Sequence, residues 1–379
     1  MAESPSSFST AQTPQSATSS MIPMYRTPTE ILRSHTSPGP GRLLELKLMH
    51  HYTASTSQTL ADKSAQKVAW QVNIPSIAYD AQYLMDAILA VSALHLRALN
   101  PDDQALVRAS HGYMASALAQ YSSLLRDGGL SEFNAEALFS TSALIAFQAS
   151  ASRGFDDQDQ DYVLPLAWFH SFQGVKTMVM ASWQWLRNSD RIFPIIGAQP
   201  AVMLDFDPDR KSFFSPLLEG MALQLLNEPD HSRFEKKQAY EHSVAFLNWA
   251  HQKPERARIL GFAATVSRKF VELIGQQDPR ALVIISCFFA MTRVCDDVWW
   301  LKGVAKREVT GILSLLPQEW WARMEWPLRI ANHVGEMDDE TWGVNSSAVS
   351  VKEEDVDVRS HIDMLAQIMN EQAPPLPPD

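Results

Sequence analysis

The stretch Leu84-Met-Asp-Ala-Ile-Leu-Ala-Val-Ser-Ala-Leu-His-Leu96 indicates the fold class of this 379-residue chain. Its apolar side chains recur at the spacing of one helix face, at Leu84, Ile88 and Val91. His95 falls on the same face, which favours a hydrogen-bonded core histidine. Pro101 ends this helix, and either Asp102 or Asp103 can cap the next one.

Helical patterns continue along the chain. The next helix carries an apolar stripe through Val107, Met114, Leu118, Tyr121 and Leu125, and Gly128-Gly129 ends it. A third helix follows after a short turn, which predicts antiparallel neighbours. Further helical patterns lie at 166–186, 216–226, 234–251, 254–275, 279–295 and 304–316. Because no stretch has the pattern of a strand, we predict an all-α fold, a helical bundle or an α-solenoid-like domain.

Composition divides the chain into three parts. Residues 1–40 are rich in Ser, Thr and Pro and predict a disordered tail, because they cannot bury enough apolar surface to offset the entropy of ordering. Residues 41–334 form the predicted all-α domain. Residues 335–379 predict a polar, acidic tail with one short helix near 360–371. Within the domain, the proline-containing segment 187–216 is long and irregular, which is typical of a lid or a pocket wall.

Charge and cysteine content exclude several classes of protein. The net charge of −11 argues against a strong nonspecific grip on nucleic acid or on an anionic membrane. The two cysteines, Cys287 and Cys295, have apolar neighbours and form no disulfide framework. No signal peptide and no apolar run of membrane-spanning length is present, so we expect a soluble, intracellular protein.

No catalytic or metal-binding motif is complete. The aspartate pairs at 156–157, 296–297 and 338–339 lack the third carboxylate that metal-dependent terpene chemistry needs. The acidic segment 155–161 lacks the glycine and glutamate of a calcium loop. The adjacent His50 and His51 diverge on a helix and cannot chelate one metal together. We therefore predict no catalytic residue, no metal and no cofactor, and we leave enzymatic activity open with a preference against it.

A candidate ligand pocket is suggested by one histidine, three tryptophans and one glycine: His170, Trp299, Trp300, Gly303 and Trp326. The tryptophans, with Trp320 and Trp321, can form one aromatic cluster in the core, and a pocket for a flat apolar ligand is the alternative. Gly303 is most simply the C-cap of a helix, although it can also let the chain bend over a ligand.

Two segments together resemble the C-terminal regulatory domain of fungal zinc-cluster transcription factors of the sterol uptake control protein type. The first runs from Leu44-Glu-Leu-Lys-Leu-Met-His-His-Tyr-Thr53 through Trp70 to the Leu84–Leu96 stretch. The second contains Asp278-Pro-Arg-Ala-Leu-Val-Ile284, Trp299-Trp-Leu-Lys-Gly303 and Glu325-Trp-Pro327. In that family the motifs L-M-H-H-Y-T, L-A-L-S-A-L-H-L, P-x-A-L-V-I and W-W-x-x-G follow in this order. The similarity covers residues 43–330.

The resemblance implies an all-α domain, often dimeric, that binds a hydrophobic effector in a helix-lined pocket and so controls transcription. It also implies a location in the nucleus, the cytoplasm or both. This sequence departs from the family pattern in two respects. A zinc cluster requires six cysteine thiolates, and these residues contain two, so no direct DNA binding is expected. Val304 stands where the family has an aromatic residue after W-W-x-x-G.

Three hypotheses follow. The leading one is a regulator of a fungal lipid or secondary-metabolite pathway that acts through a hydrophobic effector, a second copy of itself or a full-length zinc-cluster relative. The alternative is a regulatory-type domain that has been repurposed as a small-molecule-binding protein or as an enzyme of such a pathway. The third is that the sequence is part of a longer protein whose zinc cluster is encoded upstream.

Overall fold

The Leu84–Leu96 stretch is helical in the computed structural model, which describes residues 40–155, 161–207, 212–343, 358–360 and 362–363. Within these ranges the chain forms helices, turns and irregular segments, and it contains no strand. The predicted all-α fold class is therefore confirmed. The predicted disordered tail at 1–40 lies outside the described residues except for Pro40, and so does most of the predicted helix at 360–371. No helix in the described ranges is long and apolar enough to cross a bilayer.

Seventeen α-helices are defined in the described ranges, and we number them in chain order. They are α1 Pro40–His51, α2 Ser57–Thr59, α3 Ser64–Val68, α4 Ile74–Ala78, α5 Gln82–Leu99, α6 Gln104–Arg126, α7 Ala135–Ser152, α8 Leu166–Leu186, α9 Phe193–Ile196, α10 Met221–Gln224, α11 Asp230–Gln252, α12 Arg256–Thr265, α13 Arg268–Gly275, α14 Pro279–Met291, α15 Val304–Leu315, α16 Glu325–Ala331 and α17 Asp339–Trp342. Two π-helical turns, Tyr52–Thr56 and Ala69–Asn73, continue α1 and α3.

Helix α5 is the central helix of the first half of the fold. Its side chains from Ala87 to His95 are all buried, and α6 and α7 pack against it. Asp103 caps α6, because its side chain accepts hydrogen bonds from the backbone N–H groups of Ala105 and Leu106. The buried face of α6 runs through Leu106, Ser110, Met114 and Ala117 rather than along the whole predicted stripe. Leu118 and Leu125 of that stripe are exposed, since α6 covers α5 with only a narrow strip of its surface.

The core of the described residues consists of two apolar clusters. The N-terminal cluster combines α4–α7 and α9 with the π-helical turn Ala69–Asn73 and the last turns of α8, and it includes Trp70, Leu84, Phe139 and Trp183. The C-terminal cluster combines α11–α16 with the start of α8. Its centre is α14, whose residues from Arg280 to Met291 are all buried. Asp278 caps α14 and Pro279 occupies its first turn, so the sequence defines where this helix begins.

A buried ion pair joins α15 to the segment before α8. The Glu308 carboxylate is fully buried and accepts hydrogen bonds from Arg153 Nε at 2.9 Å and from the Tyr162 hydroxyl at 2.6 Å. Burial and the adjacent Glu308 carboxylate raise the pKa of Tyr162, so its hydroxyl remains a donor. The acidic residues 156–160 between Arg153 and Tyr162 lie outside the described residues.

Two details differ from the predictions made for the C-terminal part. Gly303 does not end a helix: its φ of +76° lies in the left-handed region, and it immediately precedes α15 as the N-cap residue. Residues Asp339–Trp342, assigned from composition to the polar tail, form a short helix whose Trp342 is buried. The indole nitrogen of Trp342 donates to the His251 carbonyl at 3.0 Å, a contact that local composition does not reveal.

Candidate ligand pocket

A cavity of about 350 Å³ lies between the two apolar clusters. Its wall includes Trp70 and Phe139 of the N-terminal cluster and Phe246 and Trp249 of the C-terminal cluster. Phe147 on α7 packs against both clusters and also lines the cavity. This volume falls within the range of small-molecule sites, which is about 300–1,000 Å³.

The cavity exists because small residues of two helices face a wall of aromatic rings. Helix α12 contributes Ala257, Gly261 and Ala264, and α7 contributes Ala143 and Ala146. Side chains of this size cannot reach across the space between the helices. The rings opposite are large and constrained by edge-to-face contacts, so they do not collapse into the space. The aromatic lining residues are Trp70, Phe139, Phe147, Phe172, Phe246, Trp249 and Trp300.

Trp300 is the predicted pocket residue that lines the cavity. It is 2% exposed, and its indole nitrogen donates to the Thr59 carbonyl at 3.2 Å. Its ring meets the edge of Phe147 with 5.0 Å between the ring centroids. These contacts hold the ring at the junction of the clusters, where it forms part of the cavity wall.

Trp299 lies next to Trp300 in sequence but belongs to a different cluster of rings. Its ring stacks on His95 at a centroid distance of 4.5 Å, and its indole nitrogen donates to the Thr59 hydroxyl at 2.9 Å. His95 also lies within hydrogen-bond distance of the Thr56 hydroxyl, 3.0 Å, and of His51, 3.2 Å. His95 is thus a hydrogen-bonded core histidine, as the sequence predicts.

The other three predicted pocket residues are not among those lining the cavity. His170 is exposed on α8, and Gly303 donates its backbone N–H to Asp296 Oδ1 at 2.7 Å. Trp326 packs against Phe213, Phe214, His251 and Trp342. The five tryptophans therefore do not form one cluster. Trp299 and Trp300 lie apart from the rings that surround Trp326, and Trp321 is half exposed. A ligand-binding role for these residues and for Trp299 stays a prediction.

The irregular segment 187–216 contributes one wall of the cavity. Its lining residues are Ile195, Ile196, Gln199, Pro200, Ala201 and Val202. Gln66 on α3 holds this wall in place, because its amide nitrogen donates to the Ile195 carbonyl at 3.3 Å. The sequence gives this segment the prolines and the length that are typical of a pocket wall.

Two residues near the C-terminus, Val358 and Ile362, also line the cavity. Asp363 anchors them to α8, since its carboxylate accepts hydrogen bonds from Trp183 Nε1 at 2.6 Å and from Arg187 Nη2 at 2.9 Å. Arg359 lies over the Phe193 ring at 3.9 Å. The sequence did not reveal these contacts, although Ser360 followed by Asp363 three residues later is a capping pattern that indicates a helix there.

The described lining residues include three with charged side chains: Asp62, Lys176 and Arg256. Asp62 and Arg256 form an ion pair, and Arg256 Nη1 also donates to the Thr59 carbonyl at 3.1 Å. Lys176 is exposed on α8 where the cavity reaches solvent, and the surrounding protein still lowers the pKa of its ammonium group by desolvation. Asp62 and Gln199 are the other exposed lining residues. The sequence did not reveal Lys176 as a pocket residue, because one lysine among aromatic residues matches no recognisable binding motif.

Metal binding was not predicted, and the described residues contain no group of three His, Cys, Asp or Glu that could hold a metal ion. Cys287 and Cys295 are both buried. Burial raises the pKa of both thiols, that of Cys295 to about 12. Thiols in this state are poor metal ligands and poor nucleophiles, so these two cysteines act as core residues.

The described residues thus form an all-α domain with an apolar cavity between two apolar clusters. The chain is 45% identical over 374 residues to a Zn(2)-C6 fungal-type transcription factor of Gibberella zeae, an alignment that covers 93% of this chain and 76% of the relative. The chain therefore belongs to the family of Zn(2)-C6 fungal-type transcription factors, as the resemblance in sequence indicated. No protein-family model matches the chain.

More distant relatives agree with this assignment. A second Zn(2)-C6 fungal-type transcription factor, from Aspergillus fumigatus, is 27% identical over 267 residues, with 66% of this chain and 68% of the relative covered. Sterol uptake control protein 2 of Candida albicans is 24% identical over 296 residues, which are 70% of this chain and 39% of that protein. Membership of this family supports a function in the regulation of transcription.

Proposed function

We propose that this chain is the effector-binding regulatory domain of a transcription regulator for a fungal lipid or secondary-metabolite pathway. The observation that carries the proposal is the apolar cavity of about 350 Å³ between the two clusters. A ligand that contacts both walls is stabilised in only one relative arrangement of those walls. It can therefore shift a conformational equilibrium by its difference in affinity between the two arrangements.

The effector has an apolar body. Seven aromatic residues and several aliphatic ones line the cavity, and the ion pair of Asp62 and Arg256 leaves little polar surface free for hydrogen bonding. Two of the relatives are named for the control of sterol uptake, which supports a sterol-derived or another flat or extended lipid as the effector. Burial of such a molecule gains about 25 cal/mol for each Å² of apolar surface removed from water.

DNA binding is proposed to come from a full-length zinc-cluster relative that pairs with this chain in the nucleus. The two cysteines of these 379 residues are buried in the core, so they do not supply the thiolates of a zinc cluster. We expect the purified chain alone to show no sequence-specific shift of promoter DNA in a gel assay. Tight, specific binding by the chain alone contradicts this part of the proposal.

Deletion of the gene tests the regulatory function. We expect transcripts of the controlled pathway to fall, and to recover when the wild-type chain is returned. Unchanged transcripts together with an accumulating intermediate contradict regulation and support the alternative, a pathway enzyme or carrier. When the deletion strain receives the Ala264→Phe variant, whose cavity is filled, we expect the protein to be present again but the transcripts not to respond to the effector.

A further inference from the structure

The charges on the cavity wall do not cancel. Asp62 and Arg256 neutralise each other in an ion pair, and Arg256 is held further by the Thr59 carbonyl. Lys176 is the third charged lining residue, and within the described ranges it has no hydrogen bond or ion pair. The described wall therefore carries one net positive charge beside an otherwise apolar cavity.

Lys176 lies where an apolar site meets water. Its neighbours on the same helix, Phe172, Val175, Val179 and Met180, line the cavity, while Lys176 itself is exposed. Its stem can follow the apolar wall while its ammonium group remains hydrated and charged. This arrangement places a cation at one edge of an apolar cavity.

His242, a titratable group that interacts electrostatically with Lys176, gives it no counter-charge. Burial lowers the pKa of His242, and the Lys176 ammonium lowers it further, so this imidazole is neutral near physiological pH. Its Nδ1 atom is buried without a hydrogen-bond partner among the described residues. The protein therefore holds a cation and an unsatisfied imidazole near one another, and a negatively charged group beside Lys176 is electrostatically favoured over a neutral one.

We propose that the effector is an amphipathic monoanion, with its apolar body in the cavity and its carboxylate paired with Lys176. This inference rests on the proposed effector-binding function and names the chemical class of the ligand. A single negative charge matches the single net positive charge of the wall. A neutral lipid alcohol of the same length fills the same apolar space but leaves the cation without a partner.

The pairing with Lys176 is expected to make a carboxylate bind measurably more tightly than an alcohol of the same length. Lys176 is exposed, so the interaction is screened by water and is weaker than a fully buried ion pair. We expect dodecanoate to bind roughly five- to tenfold more tightly than dodecan-1-ol, which is the effect of a partly exposed charge-assisted hydrogen bond. Raising the salt concentration reduces this preference, because ions screen the exposed pair.

Binding of both probes to the full chain is measured by quenching of tryptophan fluorescence, since Trp70, Trp249 and Trp300 line the cavity. Lys176→Met removes the charge and keeps the apolar stem, and Lys176→Arg keeps the charge. Lys306→Met, at an exposed position of α15 outside the cavity, is the matched control. We expect Lys176→Met to lose the preference for dodecanoate while its affinity for dodecan-1-ol stays the same, and Lys176→Arg and Lys306→Met to behave like the wild type.

The outcomes separate this inference from the proposed function. If the wild type binds both probes equally, or if Lys176→Met keeps the preference for dodecanoate, the monoanion proposal is overturned while the apolar effector pocket stands. If neither probe binds, or if both bind and Ala264→Phe leaves their fluorescence response unchanged, both proposals are overturned. A preference that depends on Lys176 and not on Lys306 supports both.

Discussion

His95 illustrates how single buried residues make this fold sensitive to pH. Its ring is stacked on Trp299 and lies within hydrogen-bond distance of Thr56 and His51. Burial, with a smaller contribution from His51, lowers the pKa of His95 to about 4. Burial also lowers the pKa of His251 to about 4, against a weaker opposing effect of its hydrogen bond to the Trp342 carbonyl. Both residues are therefore neutral in the folded protein near pH 7.

Acid is expected to destabilise the fold through these two histidines. Between the unfolded pKa of 6.5 and the folded value of about 4, the unfolded chain binds more protons, so the free energy of unfolding falls as the pH decreases. The loss is on the order of 3 kcal/mol for each histidine over this window. Urea midpoints at pH 7, 5.5 and 4.5 measure it.

The matched comparison is between His95→Gln and His231→Gln. His95→Gln is expected to show a shallower dependence of the midpoint on pH, because a neutral amide replaces the titrating ring. His231 has an exposed side chain on the surface of α11, so its variant should follow the wild type. An unchanged slope in His95→Gln is evidence against this origin of the acid sensitivity.

His95 and His170 show what a local sequence pattern does and does not reveal. His95 lies on the same face as Leu84, Ile88 and Val91, and that periodicity alone places it in the core. His170 has aromatic neighbours in sequence, Trp168, Phe169 and Phe172, yet it is exposed, because the buried face of α8 passes through Trp168 and Phe169. Neighbours in sequence point in different directions on a helix, so proximity in sequence did not place His170 at the pocket.

At the scale of single elements, the start of α6 provides a sharp test of helix capping. The sequence leaves Asp102 and Asp103 as alternatives, and the structure assigns the cap to Asp103, whose Oδ1 accepts from Ala105 N at 2.9 Å. Asp103→Ala is expected to lower the free energy of unfolding by about 1 kcal/mol. Asp102→Ala removes another exposed carboxylate, which caps no helix, so it is expected to lower the free energy of unfolding much less. Urea titration of the two variants measures the difference, and equal effects are inconsistent with the assignment.

The segment that carries Val358 and Ile362 tests a second element. Asp363 is its anchor, because the carboxylate accepts from Trp183 and Arg187 on α8. Asp363→Ala is expected to release the segment, to increase cleavage by thermolysin near Ile362 and to accelerate entry of dodecan-1-ol into the cavity. Asp230→Ala, which alters an almost fully exposed carboxylate at the start of α11, is the matched control. Wild-type cleavage and entry rates in Asp363→Ala contradict an anchoring role.

Helices and their ends were predictable where the information is local. The Leu84–Leu96 periodicity and the Asp278-Pro279 start of α14 each depend on a few adjacent residues. The cavity was not predictable in this way, because its wall brings Trp70 together with Trp249 and Trp300, which are far apart in sequence. Trp300 was identified from its motif, whereas Lys176 and Ile362 become pocket residues only through packing between distant helices.

At the scale of the whole molecule, the position of the cavity suggests how a ligand can change the protein. The cavity lies where the N-terminal and C-terminal clusters meet, and Phe147 packs against both. If the proposed effector binds there, it adds apolar contacts to both clusters at once, and we expect it to strengthen their association. Interiors are close-packed, so a change at this junction is transmitted as a shift between two packed arrangements rather than as a gradual deformation.

A ligand that binds only the folded chain must also stabilise it. At a free concentration one hundred times its dissociation constant, the gain is about 2.7 kcal/mol, which raises the thermal midpoint by several degrees. Ala264→Phe places a ring in the cavity from α12, so we expect it to abolish the stabilisation by dodecan-1-ol while the chain remains folded. Ala167→Phe adds the same ring at an exposed position of α8 and should keep the full ligand response. Thermal unfolding with and without the probe measures both variants, with circular dichroism as the check of helical content. If Ala264→Phe is folded and still gains as much stability as the wild type, the probe binds elsewhere and the cavity is not the effector site.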